Sequence, residues 1–455
     1  MYFQKTIFFI FILFKFTFSQ VKNIFNSLIC GGGTEDPPSL IEYENSIGKK
    51  SEFSPIRIFI DYTYLDECFS KSEFANIAKS KDLIKEKLSE ASQLMEQIIN
   101  IQRYSSNLYL TEDLISFMNI HSYSNNLLIG IPYDLIVYPM ISEISRKFIF
   151  SQEKFINFYG YPLVVDQLTK RPIFGILRIY NYDYTIMENL NTYFINSFIH
   201  QLIHIMVFDP NLINIFPNYS RPQFNYGIVD FDRYANILFS PKVVALARKY
   251  FNCSSIDGMN LDVSTFQYVT NIKNLLYHWE QRYMAGDIMT LHHFEEETIS
   301  EITLALFEDS NWYKVNYYTG GLFRFGKLET CIFSKFKCVN EYFLYSQFCP
   351  ENKENKMRCT SGRLQKGRCK FYTYSQSIPS SFQYYSDKTK GGEPYMNYFP
   401  IAHKEIDFNN YNFNFYPGSC FNGIISFKET EEVISSNSFC VVSSVIPNGG
   451  NYNLN

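Results

Sequence analysis

Two histidines four residues apart, His200 and His204, lie in the apolar stretch Asn191–Phe208, NTYFINSFIHQLIHIMVF. On an α-helix that spacing projects both imidazoles from one face, one turn apart, so both can reach a single metal ion. The same pattern arises when two histidines simply sit on a buried helix, and the stretch by itself leaves both readings open. Downstream, Tyr277–Thr290 reads YHWEQRYMAGDIMT and adds a third histidine, His278, and a methionine, Met289. Three protein ligands with one position left for water is the ligand count of a catalytic zinc ion, which lowers the pKa of that water.

In order and spacing these pieces resemble the leishmanolysins. These are metzincin zinc peptidases whose helix carries HExxHxxG, followed by a third histidine and a methionine-bearing turn. In this family an inserted subdomain delays the third histidine. The resemblance implies His200, His204 and His278 as ligands of a zinc ion and Met289 as the methionine of the turn. Two residues depart from the motif: Gln201 stands where the family has its general-base Glu, and Val207 stands where it has Gly. A neutral amide can hydrogen-bond a water but has no accessible protonation equilibrium. The general acid–base contribution, roughly 10²- to 10⁴-fold, is therefore expected to be missing. Glu280 and Asp287 are the nearest carboxylates that could substitute, although their family counterparts are structural. Valine resists the left-handed conformation that ends such a helix at glycine, so the helix is expected to run on and stop at Asp209-Pro210.

Arg171–Asn181, RPIFGILRIYN, resembles the strand just before the zinc helix. The resemblance implies a sheet edge at which Gly175, Ile176 and Leu177 pair with substrate backbone; the other reading is an ordinary core strand. Among further elements, Ser54–Asp61 alternates as a strand, and Lys81–Ile101 carries Ile84, Leu88, Ala91, Met95 and Ile98 along one helical stripe. Strand signals return at Asn107–Leu110 and Asp134–Pro139. Ser240–Tyr250 reads as a helix with Ser240 at the N-cap and Pro241 first. Asn252–Gly258, NCSSIDG, resembles the family's Asn-Cys turn, which implies a disulfide-bonded Cys253 that is not a zinc ligand. Glu301–Tyr318 resembles the family's helix beneath the site.

Residues Met1–Gln20 resemble a secretory signal peptide, with an apolar run that Lys15 interrupts, and 21–53 read as a loose leader in which Cys30 could cap the metal or join a disulfide. Ten cysteines in a secreted chain point to disulfides. Five of them, in the stretch from Gly326 to Cys369, resemble the family's cysteine-rich C-terminal domain. Asn218 and Asn252 head glycosylation sequons. A net charge of −4 over 455 residues, with no Lys/Arg cluster, gives no signal for nucleic acid or anionic lipid. No other stretch of about 18 apolar residues offers a membrane span in the mature chain. His121 and His403 stand alone, and His292 and His293 follow the methionine turn.

The expected fold class is α+β: a metzincin-type core with an inserted subdomain and a disulfide-rich C-terminal domain. Segments are expected at 1–20, 21–53, 54–208, 209–276, 277–325 and 326–455. The expected function is a secreted zinc-binding, peptide-binding homologue with crippled proteolysis. A slow peptidase with a substitute base, or an adhesion or structural protein clamped by zinc, are the alternatives.

Overall fold

The computed structural model describes residues 39–44, 49–70, 78–141, 158–179, 191–217, 224–230, 233–262, 278–291, 297–318, 320–335, 348–351, 357–362 and 366–403. Residues 1–38, Cys30 among them, and Asn218, His292 and His293 lie outside them. The described part of the expected leader is not loose: Ile41–Tyr43 and Lys49–Pro55 are strands paired into two sheets. The chain divides into two compact units. One comprises Met1–Phe323 with Lys327–Phe336, the other Arg324–Gly326 with Lys337–Asn455.

In chain order the strands of the first unit are β1 (Ile41–Tyr43), β2 (Lys49–Pro55), β3 (Ile58–Ile60), β4 (Ile99–Tyr104), β5 (Leu135–Ile141) and β6 (Phe158–Asp166). They continue with β7 (Pro172–Ile179), β8 (Phe224–Asp230), β9 (Arg233–Leu238), β10 (Met259–Leu261) and β11 (Tyr313–Val315). The five-stranded sheet has the order β1-β6-β7-β5-β3. β6 and β7 are antiparallel and the other pairs parallel. Both strands of the β6–β7 pair are almost wholly apolar and buried, as a sheet covered on both faces requires. One face carries Tyr138, Tyr161, Leu163, Phe174 and Ile176 into a core with Leu108, Leu110 and Leu127.

The strand resembling the family's edge is not an edge. β7 is paired on both sides: Gly175, Ile176 and Leu177 face Val137, Tyr138 and Pro139 of β5, and Pro162, Tyr161 and Gly160 of β6. Their backbone groups lie inside two ladders, so a substrate cannot add there. The outer position belongs to β6. β1 covers only Val164–Asp166, and among the described residues no strand pairs with the outer side of Phe158–Leu163.

The other face of the sheet receives the histidine helix Asn191–Met206, and the long helix Ala78–Ile98 packs beside it. The expected stripe is the buried one: Ile84, Leu88, Ala91 and Met95 are fully enclosed. The long helix stops with its stripe at Ile98, short of the expected Ile101. Ile99 and Ile101 continue the apolar positions with period two, and the chain passes directly into β4, the middle of a β11-β4-β2 sheet. The expected strand at Ser54–Asp61 is split between the end of β2 and β3, and Asn107–Leu110 makes only an isolated bridge from Leu108 to Ile131.

The inserted segment forms a β10-β9-β8 sheet and the helix Pro241–Phe251. Ser240 occupies the N-cap but its side chain caps nothing in its own helix. The cap comes from Asp309, at the end of the helix Glu301–Asp309. Its carboxylate accepts from the backbone N–H groups of Lys242 and Val243 at 2.9 and 3.1 Å and from the Ser240 hydroxyl. A carboxylate at a helix N-terminus satisfies orphan donors and complements the dipole. Cys253 is bonded to Cys331, a cysteine of the run expected in the C-terminal domain. In the second unit Cys349 is bonded to Cys369, on a small sheet of Met357–Cys359, Lys366–Cys369 and Ala402–His403.

Candidate metal centre

The histidine helix ends at Met206, short of the expected stop. Val207 is not left-handed; its N–H and that of Phe208 both bond to the Ile203 carbonyl. Asp209 then starts a new short helix, Pro210–Ile213, as its N-cap. The Tyr313 hydroxyl donates to the orphan carbonyl of Met206, and the Trp312 indole N–H to the carbonyl of Thr169. The segment expected to scaffold the site thus ties the helix end to the β6–β7 turn.

His278 is held by backbone pairing. Asp262 donates to the His278 carbonyl and Glu280 to that of Asn260, so the end of the inserted sheet fixes one side of His278-Trp279-Glu280. On the other side Trp279 donates to the Met289 carbonyl. The Phe208 and Trp279 rings meet edge to face, with centroids 4.7 Å apart.

These restraints bring three Nε2 atoms together. His200 and His204 are 2.9 Å apart through Nε2, and each lies 3.2 Å from Nε2 of His278. All three residues are buried. His200 Nδ1 faces the Ile288 carbonyl at 2.5 Å and His204 Nδ1 faces the Phe208 carbonyl at 2.8 Å. A carbonyl can only accept, so both Nδ1 atoms carry the proton and both Nε2 atoms present lone pairs. Two such lone pairs cannot bond each other; they require a shared cation. A proton is disfavoured because burial pushes the His204 imidazole down to about 3. A metal ion preferring nitrogen ligands, with zinc foremost, fits this donor set.

Residues 78–454 match the leishmanolysin peptidase family. The chain belongs to that family. It is 28% identical over 174 residues to the leishmanolysin-like peptidase of Drosophila melanogaster, covering 36% of this chain and 25% of that protein. To the leishmanolysin homolog of Crithidia fasciculata it is 27% identical over 219 residues, 48% of this chain and 32% of the relative. Leishmanolysin of Leishmania tropica is 30% identical over 104 residues, 22% and 16% of the two chains. The chain thus matches a third or less of the length of these relatives. Leishmanolysins are zinc-dependent metalloendopeptidases, and the fold here is a leishmanolysin domain of mixed α and β structure with disulfides. No helix among the described residues is long and apolar enough to cross a membrane.

Gln201 is buried beside His200, and its Oε1 accepts from the Gly160 backbone N–H at 2.7 Å. Sequence reasoning missed Gly160. A Cβ there would stand 2.7 Å from the Gln201 carbonyl oxygen, so strand and helix come this close only at glycine. A lone glycine inside the apolar FYGYPL of β6 was the available signal. Gly175 has the same duty: a methyl there would overlap Ile205 of the histidine helix.

Glu280 and Asp287, the carboxylates nearest the third histidine and the methionine in sequence, are engaged elsewhere. Glu280 accepts from Asn260 Nδ2 at 2.9 Å. Asp287 accepts from the N–H groups of Met289 and Ser300 and from the Thr303 hydroxyl, which itself accepts from the Trp279 indole N–H. This buried network binds the methionine turn to the helix Glu301–Asp309. Burial pushes the Asp287 carboxyl up to about 6. Because the folded value lies above the ordinary one, the stability contributed by neutral Asp287 is complete below about pH 4. It is lost as pH rises through about 6. The stability of the native chain relative to Asp287→Asn, from denaturant titrations between these limits, is expected to fall with rising pH.

Proposed function

We propose that this chain is a zinc-binding leishmanolysin homologue that captures extended peptides in the secretory pathway or outside the cell and hydrolyses them only weakly. His200, His204 and His278 would hold the zinc ion, Met289 would sit in the supporting turn, and Gln201 would occupy the place of the base. The observation that carries this reading is the amide of Gln201 next to the triad, its oxygen already accepting from Gly160. Zinc bound by three imidazoles would supply a Lewis acid that polarises a carbonyl and acidifies water. What the chain lacks is a group that can take and return a proton. Glu280 and Asp287 do not offer it while their oxygens are bound to Asn260, Ser300, Thr303 and the Met289 N–H.

Peptide capture is assigned to the outer side of Phe158–Leu163 in β6, which Gly160 joins to Gln201. Main-chain pairing at a sheet edge needs no proton transfer, so binding survives the loss of the base. The two disulfides favour an oxidising compartment.

The test is to purify the full chain and measure zinc content, peptide binding and peptide hydrolysis together. About one zinc per chain is expected, with saturable peptide binding and hydrolysis at least roughly 100-fold below that of a leishmanolysin carrying the glutamate. His278→Ala is expected to lose the zinc. Robust hydrolysis by the native chain that vanishes with Glu280→Gln would establish a substitute base instead. Zinc with no detectable peptide binding would reduce the ion to a clamp between distant segments.

A further inference from the structure

We infer that Asn252 carries an N-linked glycan, a conclusion that rests on the secretory reading above. The tripeptide Asn252-Cys253-Ser254 has the acceptor pattern, but a pattern alone is weak. Each of its residues therefore has to be weighed against a purely structural role.

Asn252 ends the helix Pro241–Phe251 in the left-handed region, φ 53° and ψ 47°, where its N–H reaches the carbonyls of Arg248 and Lys249. Asparagine is the side-chain-bearing residue best suited to that position, so helix termination explains its backbone. Cys253 is buried and bonded to Cys331. Neither fact accounts for a hydroxyl at 254. Asn252 and Ser254 are both exposed, and among the described residues neither side chain makes a hydrogen bond. The acceptor amide and the hydroxyl that activates it are thus the two atoms of the turn without a structural duty. A glycan on Asn252 Nδ2 would extend from the helix end into solvent and displace no packed side chain.

A cysteine in the middle position raises a competition. The transferase works on an extended chain, and closure of the Cys253 disulfide would fold the acceptor away. The partner cysteine lies 78 residues downstream. At ordinary rates of synthesis those residues take on the order of 4 to 16 s to appear. During that interval the sequon is inside the lumen and the native partner of its cysteine has not arrived. In the transfer, the sugar C1–O bond to a lipid pyrophosphate donor breaks and a C1–Nδ2 bond to Asn252 forms. The amide proton leaves with the pyrophosphate, and no oxidant or reductant is needed.

The test is secretion of the full chain from eukaryotic cells, followed by glycosidase release in water enriched in oxygen-18 and peptide mass mapping. Asn252 is expected to be converted to heavy-labelled aspartate in most chains. Ser254→Ala should abolish that label and Ser254→Thr should keep it, with Cys253–Cys331 closed in all three. Unlabelled Asn252 in secreted chains whose Cys253–Cys331 bond is formed would overturn the assignment. Chains retained with both thiols free would instead overturn the secretory reading, and the native glycan with it.

Discussion

Gln201→Glu is expected to raise peptide hydrolysis by about 10²- to 10⁴-fold, at unchanged zinc content. The substitution is nearly isosteric, and a carboxylate can do what the amide does now: one oxygen can accept from the Gly160 N–H, at present 2.7 Å from Oε1. The other oxygen replaces an NH₂ that only donates with one that can accept a proton and give it back. The gain should appear in kcat more than in KM, because the bond from the Gly160 N–H is kept and the new interaction belongs to the transition state. Its pH profile should show an ascending limb that the native chain lacks. Gln201→Ala, which removes the amide without supplying a base, should show no gain. Zinc-loaded Gln201→Glu that hydrolyses no faster than the native chain would mean that loss of the base is not what limits this site.

What could be read from the sequence follows from how local each signal is. The triad was legible because each histidine sits in a short recognisable segment, and helical spacing fixes the first two on one face. The edge was not legible. β6 and β7 are both apolar throughout, so neither period nor composition tells which is outermost; that depends on β5 pairing with β7 across a distant segment. Ser240 is the N-cap residue as its sequence context suggests, but the group that accepts from the first N–H groups is the carboxylate of Asp309, 67 residues from Lys242. The helix end at Met206 was misplaced because the residue before proline marks only an outer limit. Here Ile203, Asp209 and Tyr313 settle the termination first. Gly160 escaped notice because its reason for being glycine lies in another element. The same is true of Cys331, whose neighbours in sequence resemble the C-terminal cysteine run while its partner belongs to the inserted segment.

That partnership leads to the second large effect. Replacing Cys253 and Cys331 together by serine is expected to cost about 4 to 5 kcal/mol of stability, the chain-entropy value for a loop of this length. The loop spans 78 residues and encloses His278, Met289 and the helix Glu301–Asp309. His200 and His204, the first two of the proposed ligands, are outside it and share one helix. The bond thus shortens the free path by which His278 can leave the other two, and opening it should lower the effective concentration of the third imidazole. Zinc affinity should therefore fall together with stability. The two effects separate by titration: a variant weakened only globally keeps an unchanged dissociation constant, measured well below the transition, and gains as much from zinc as the native chain, whereas loss of the restraint raises that constant and shrinks the gain. Asp309→Ala supplies the contrast, because it strips the cap from the helix Pro241–Phe251 without lengthening the loop, and should lower stability by only about 1 to 3 kcal/mol with zinc affinity retained. If the double serine variant binds zinc as tightly as the native chain, the pairing of His278 with Asp262 and Met289 with Trp279 is sufficient to hold the third ligand, and the disulfide serves the inserted segment alone.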